Sequence, residues 1–193
     1  MNVIQLGSNN GDDHVLSLVK EKESEIQELI LVDALPECVE LTRRQYSFFK
    51  GNLSVINVAI GTENGLLDIF YPKGQNHSTH ASSSLNHLVA CRYREIEKIK
   101  IPCLNINSFL GALNFKKIDY LFIDTEGMDV PILLEMDFNK YSPTNLKFED
   151  GHSEGPNKAR GKSYLELVTK LEKFNYSIWE GGGDTIAEKV IKL

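Results

Sequence analysis

Four short apolar runs in this chain end on residues able to hold a ligand or move a proton. Val3-Ile4-Gln5-Leu6 gives way to Gly7-Ser8-Asn9-Asn10-Gly11, and Leu29-Ile30-Leu31-Val32 gives way to Asp33. Ile118-Asp119-Tyr120-Leu121-Phe122-Ile123 stops at Asp124-Thr125-Glu126-Gly127, and Asn145-Leu146-Lys147-Phe148 runs into Glu149-Asp150-Gly151-His152. A loop bracketed by glycines admits a ligand where a Cβ would block it, and helix N–H groups behind it favour a negative group. Asp33 lies 22 positions past Gly11, near the spacing at which a carboxylate takes hydrogen bonds from an adenosine ribose. It suits a helix N-cap equally well. Glu126, Asp124, Glu149, Asp150 and His152 are of the types that take a proton from an attacking hydroxyl. The structural alternative for these acids is capping and loop hydrogen bonding.

Apolar runs that end in polar clusters are what buried parallel strands show, and helices must lie between them. Asp12 and Asp13 cap a first helix over residues 12–27, with Val15, Leu16, Leu18 and Val19 as its apolar pattern. Pro36 opens a second helix that runs to about Gly51. Residues 53–60 read as a third strand, and Glu63-Asn64-Gly65 as a hairpin turn into an antiparallel strand over residues 66–71. A polar loop follows, with His77, His80, His87 and the triplet Ser82-Ser83-Ser84; residues 73–86 are expected to be flexible without ligand. Further along come a strand over residues 96–104, a helix to Leu113, and the strands at 118–123 and 145–148. A helix from Ser163 places Tyr164, Leu167, Val168 and Leu171 on one side, and residues 176–187 close as a hairpin. Strands alternating with helices imply right-handed crossovers in a mainly parallel sheet, with the closing hairpin as its antiparallel edge.

At 193 residues the chain is expected to form a single domain, residues 1–193. Its formal net charge of −6 argues against nucleic acid or an anionic membrane as partner. Cys38, Cys91 and Cys103 are an odd set without CxxC spacing, which suggests a reduced, cytoplasmic protein. The expected partner is a small molecule, with homo-oligomerisation left open. The loop between Gly7 and Gly11 is not GxGxxG, which disfavours a dinucleotide and fits a nucleoside with no phosphate and an amino-acid tail.

Three stretches together, Val3-Ile4-Gln5-Leu6-Gly7-Ser8-Asn9-Asn10-Gly11, Leu31-Val32-Asp33-Ala34 and Ile118-Asp119-Tyr120-Leu121-Phe122-Ile123-Asp124-Thr125-Glu126-Gly127, resemble the FkbM family of S-adenosylmethionine-dependent methyltransferases. Asn57-Val58-Ala59-Ile60-Gly61 matches the pattern usual at that family's third strand. The resemblance implies a class I methyltransferase, Rossmann-like α/β fold with helices on both faces of the sheet. It implies O-methylation of a hydroxyl on a sugar or secondary metabolite, with S-adenosylmethionine as cofactor. On that resemblance Gly7, Ser8, Asn9, Asn10 and Gly11 hold the methionine part, Asp33 with Ala34 the ribose, and Asn57 with Ala59 the adenine, while Asp124 serves the cofactor or its loop.

The family usually carries an acid where this chain has Gln5, which removes a charge that favours the cofactor's ammonium group. Because the sequence opens on the first strand, substrate recognition is expected from residues 72–90, residues 150–162 or a partner subunit. Glu126 and His152 are the favoured bases, with Asp124 as a further catalytic candidate, and a metal-free route is expected. One alternative is a hard divalent ion on Asp124, Glu149 and Asp150, whether in a methyltransferase or in a hydrolase on a similar sheet. His77 and His80 form a weaker zinc pair. A non-catalytic cofactor-binding subunit is the other alternative. Arg92, Arg94, Lys98 and Lys100 alternate with Glu95 and Glu97 as a solvated face.

Overall fold

Strand β1 (Asn2–Leu6) lies inside the sheet, with Val3, Ile4 and Leu6 fully buried between helices on its two faces. The computed structural model describes residues 1–73, 81–113, 115, 117–152 and 160–190. After β1 come α1 (His14–Lys22), β2 (Glu28–Asp33), α2 (Pro36–Gln45), β3 (Asn52–Asn57), β4 (Ala59–Gly61), β5 (Gly65–Pro72), α3 (Leu85–Ala90) and β6 (Ile96–Asn105). The second half adds α4 (Ile106–Leu113), β7 (Tyr120–Ile123), α5 (Asp129–Glu135), β8 (Asn145–Glu149), α6 (Lys162–Lys173), β9 (Tyr176–Gly181) and β10 (Asp184–Lys189). The main sheet runs β3-β2-β1-β7-β8-β10-β9, and its first five strands are mutually parallel. Strand order reverses between β2 and β7 around β1, which places the switch point beside the 7–11 loop.

Each helix starts where its local chemistry supports it. Asp13 caps α1 by accepting from the backbone N–H groups of Val15 at 2.7 Å and Leu16 at 3.3 Å. Pro36 occupies the first turn of α2, where its missing N–H costs nothing. Val15, Leu16 and Val19 cover one face of the sheet over Val3, Leu29 and Leu31, whereas α4, α5 and α6 cover Ile4, Leu6, Leu121 and Leu146 on the other. No helix among the described residues is long and apolar enough to cross a membrane.

Some elements depart from the pattern in the sequence. Helix α1 stops at Lys22, and Glu23–Glu25 form a 3-10 turn that redirects the chain into β2. Residues 53–60 are not one strand: β3 stays with β2 as far as the Asp33–Asn57 pair, while β4 leaves to pair with β6. The Asn57 amide donates to the carbonyls of Asp33 (3.0 Å) and Ala34 (2.8 Å), which pins the point of departure. Strand β5 pairs with β6 rather than back onto β4, giving a separate sheet in the order β4-β6-β5. In the closing hairpin the antiparallel strand is the interior β10, and the edge strand β9 runs parallel to β8. The expectations for His77, His80 and half of the 73–86 loop lie outside the described residues, as do those for residues 153–159.

The tightest approach in the fold is at Gly7, where φ is +82° and a Cβ would stand 1.7 Å from the carbonyl oxygen of Asp124. Gly7→Ala must therefore strain the backbone and displace the end of β7, at a cost of more than about 2 kcal/mol. Gly181 has open space around its Cβ position, so Gly181→Ala is expected to change stability by less than about 0.5 kcal/mol. Urea titration of the two variants checks the contrast.

Candidate functional site

The loop after β1 is held by its own amides. The N–H groups of Gly7 and Ser8 donate to the Val32 carbonyl at 2.9 and 3.0 Å, and that of Gly11 to the Ser8 carbonyl at 2.8 Å. The N–H of Asn9 donates to Asp33 Oδ2 at 2.8 Å, and that of Asp12 to Asn10 Oδ1 at 3.0 Å. These donors are consumed inside the fold, so the loop is not the anion cradle that its glycines suggested. Ser8 is fully buried, its hydroxyl 3.2 Å from that of Thr42 on α2, and Thr42 in turn donates to the Asn9 carbonyl. A Cβ on Gly11 would stand 3.0 Å from the Tyr46 ring. Ser8, Asn10 and Gly11 thus shape the loop, while Gly7 and Asn9 face a cleft.

That cleft, about 760 Å³ of space open to solvent, lies where the ends of β1, β2 and β7 meet the second sheet. Gly7, Asn9, Asp33 and Ala34 form one side and Asp124, Thr125, Glu126 and Met128 another. Its apolar wall is made by Val58, Ala59 and Ile60 with Leu67 and Ile69 of β5. Asn57 does not line it, because its side chain is spent on the β2–α2 turn. Leu67, Ile69 and Cys38 were not anticipated. Their alternation marked a strand and a helix, but nothing in the sequence showed which surface they would face.

Asp33 has the most demanding position. Its Oδ1 accepts the Leu35 N–H at 2.8 Å while Oδ2 accepts that of Asn9, so it serves the start of α2 and the loop together. Burial raises its pKa to about 6 despite these hydrogen bonds, which oppose the shift. The Cys38 thiol also bonds to this carboxylate, which leaves one of its roughly four acceptor sites for a hydroxyl donor in the cleft. Burial also pushes the Cys38 thiol far above its ordinary range, which makes it an unreactive wall residue.

The remaining acids divide into two groups. Asp129 is buried at the start of α5, where it accepts from the Thr125 hydroxyl at 3.0 Å and backbone N–H at 3.2 Å; burial, then repulsion from Asp124, raises it to about 7. Asp150 is fully buried and faces away from the cleft, bound by Arg160 at 3.1 Å and by the Thr185 hydroxyl at 2.6 Å. The metal set Asp124–Glu149–Asp150 therefore does not assemble. Glu126, Glu149 and His152 do come together, with one donor atom from each within 4.8 Å of the others. His152 Nε2 stands 3.5 Å from Glu149 Oε1. Glu126 has φ +53° and is followed by Gly127 at +101°, a turn braced by the Ser82 hydroxyl donating to the Glu126 carbonyl at 2.9 Å. Burial is the first cause that raises Glu126 to about 7 and Glu149 to about 8, with repulsion from neighbouring carboxylates adding to it. Such a cluster can accept a proton near neutral pH, and its O, O, N donor set also suits a divalent cation. Lys98 and Lys100 pair with Asp68 on the surface of the second sheet, away from this cluster.

The family described as Methyltransferase FkbM domain matches residues 5–178. Among solved structures, methyltransferase FkbM from Methylobacillus flagellatus KT superposes with a TM-score of 0.59 at 10% identity over 97% of this chain. The chain spans 43% of the length of that structure. An O-methyltransferase from Bacillus cereus in complex with SAH is 11% identical (TM-score 0.48, 97% of this chain and 74% of that one), and a methyltransferase from Pyrococcus furiosus is 12% identical (TM-score 0.43, 98% and 75%). No curated protein matches. The likeness to the M. flagellatus structure is one of fold, the mixed α/β arrangement of class I methyltransferases.

The raised carboxyls give stability a definite pH dependence. Asp33 and Asp129 bind protons more tightly in the folded chain (about 6 and about 7) than in the unfolded chain, near 3.9. Their contribution is present below the unfolded value and is lost as pH rises through the folded values. Between pH 6 and pH 8 the loss is expected to be about 1.4 kcal/mol for Asp129 and only about 0.4 kcal/mol for Asp33, whose larger loss comes below pH 6; together they lower the thermal midpoint by several degrees. Asp129→Asn, uncharged throughout, should flatten the decline; thermal unfolding at the two pH values measures it.

Proposed function

Since the chain belongs to the methyltransferase FkbM family, we propose that it transfers a methyl group from S-adenosylmethionine to a hydroxyl of a small metabolite or saccharide. The observation that carries this is the division of the cleft. An apolar wall of Val58, Ile60, Leu67 and Ile69 with a hydrogen-bonding acid, Asp33, lies on one side, and an elevated carboxyl, Glu126, on the other. The wall suits a purine ring, and the remaining acceptor site of Asp33 suits a ribose hydroxyl. Because the loop amides are spent, the site favours a nucleoside without phosphate over a dinucleotide.

When bound, S-adenosylmethionine supplies an electrophilic methyl group on a sulfonium centre. The protein's task is then to align an oxygen nucleophile, worth about 7–11 kcal/mol in favourable systems, and to take its proton. Glu126 lines the cleft and, titrating at about 7, is a competent acceptor for that proton. Glu149 and His152 stand behind it, where they repel or relay charge as Glu126 changes state. The left-handed turn at Glu126, tied by Ser82 to the second sheet, holds this carboxyl at the cleft mouth.

Calorimetric titration with S-adenosylhomocysteine tests the cofactor half, and Asp33→Ala is expected to weaken that binding roughly ten- to hundredfold. Methyl transfer to an accepted alcohol should rise with pH through about 7, as Glu126 loses its proton. Glu126→Gln should abolish that transfer while S-adenosylhomocysteine still binds. Transfer that disappears with EDTA and returns with a divalent ion would reassign Glu126, Glu149 and His152 from proton acceptor to metal site.

A further inference from the structure

The main sheet ends on β9, and among the described residues no strand lies on its far side. The Gly181–Asp184 pair closes a two-residue turn, Gly182-Gly183, whose φ angles of +64° and +93° suit a tight hairpin. At the other end of the ladder the Val190 N–H donates to the Asn175 carbonyl at 2.8 Å. Hydrogen-bonded pairs alternate in an antiparallel ladder, so Ser177, Trp179 and Gly181 spend their backbone groups on β10. Tyr176, Ile178 and Glu180 therefore direct theirs outward. Such an edge is a template for another strand unless charge, proline or a bulge blunts it. The opposite edge of the sheet is blunted: Arg43 on α2 donates to the Val55 carbonyl of β3 at 3.1 Å. Strand β9 carries no Lys, Arg or Pro, and its single charge, Glu180, is met within the chain by Arg160 at 3.2 Å and the Tyr164 hydroxyl at 2.7 Å. Trp179 is 52% exposed, and its cross-strand neighbour Ile186 is 42% exposed. Ile178 packs on the core side with α6, so Trp179 and Ile186 stand on the other face.

We propose that β9 pairs antiparallel with β9 of a second copy of this chain about a two-fold axis, joining the two main sheets edge to edge with Trp179 facing Trp179 across the axis. A two-fold contact uses one patch twice, so the patch must be complementary to itself. In this register Ile178 of each copy exchanges backbone hydrogen bonds with Glu180 of the other, through the groups that β10 leaves free. The Trp179 pair falls where the backbone groups point away from the junction, the position at which opposed side chains approach most closely. Ile186 flanks each indole, so an apolar strip crosses the axis. The charges agree as well: each Glu180 meets Ile178 rather than a second carboxylate, and Arg160 already offsets it. This self-matching favours a second copy over an unrelated strand, which would need only the free backbone groups. No residue of β9 or β10 lines the cleft, so the pairing stands apart from the methyl-transfer reading.

Sedimentation equilibrium of the full chain should show the mass of two chains, falling toward one on dilution. Trp179→Lys sets two ammonium groups against each other at the axis and should weaken the association by about tenfold or more, whereas Trp179→Phe should retain it. Trp179→Cys should form a disulfide-linked dimer under oxidised glutathione, because directly opposed residues of paired strands lie within disulfide reach. Leu165→Cys, on the exposed side of α6 at 60% exposure, should not. A single-chain mass for the wild type at every concentration up to about 100 μM would overturn the proposal. So would a dimer equally tight in Trp179→Lys, or equal crosslinking at positions 165 and 179. Circular dichroism checks that Trp179→Lys is folded; if it is not, the two cysteine variants decide.

Discussion

Asp33 joins three backbone segments through one residue. Its two carboxylate oxygens take the N–H groups of Asn9 and Leu35, and its carbonyl oxygen takes the Val58 N–H at 3.1 Å and the Asn57 amide at 3.0 Å. The loop after β1, the start of α2 and the turn from β3 to β4 are thereby fixed around one residue. All three contribute to the cleft. Because β4 is released from the main sheet at this point, the second sheet can lean across the strand ends and supply the apolar wall. A residue with only the helix-capping role could be Ser or Asn; a double acceptor at the end of a parallel strand requires the carboxylate.

Beyond Asp33 the cleft collects acids that the fold does little to neutralise. Burial is the largest cause that raises Asp124, Glu126, Asp129 and Glu149; repulsion from Asp124 adds to it at the other three, and repulsion from Asp184 and Asp13 adds to it at Asp124. By contrast the buried Asp150 has a cation, its Oδ2 meeting Arg160 and the Thr185 hydroxyl. The distinction is informative. Asp150 meets Arg160 away from the cleft, whereas the charge of Glu126 and Glu149 is left to be met by protons or by a ligand.

Much of this architecture was legible in the sequence, because each parallel strand ends on a polar cluster and each helix carries its own start signal. Asp13, Pro36 and the Leu167–Leu171 side of α6 stand where the pattern put them. The β3–β4 break was not legible: residues 53–60 keep strand character throughout, and only the pairing partner changes. That change is made by a side-chain amide reaching across to β2, which no local pattern encodes. The acids at the end of β8 were misplaced for a simpler reason. Adjacent residues at a strand end point to opposite sides, so Glu149 and Asp150 could not both face the cleft, and the structure gives Glu149 to the cluster and Asp150 to Arg160. The 7–11 loop was located correctly, yet its glycines serve close packing on Asp124 and Tyr46 more than ligand approach.

The chemistry of the rim follows from which groups remain after the fold has satisfied itself. The loop's N–H donors at Gly7, Ser8 and Asn9 are consumed by Val32 and Asp33. What lines the cleft is mostly acceptor: the remaining acceptor site of Asp33 and the carboxyls of Asp124 and Glu126. An acceptor-rich, acidic rim attracts ligands that bring hydroxyls or positive charge and repels phosphates. Ribose, a sulfonium and an ammonium all meet that requirement, as does an alcohol about to lose its proton.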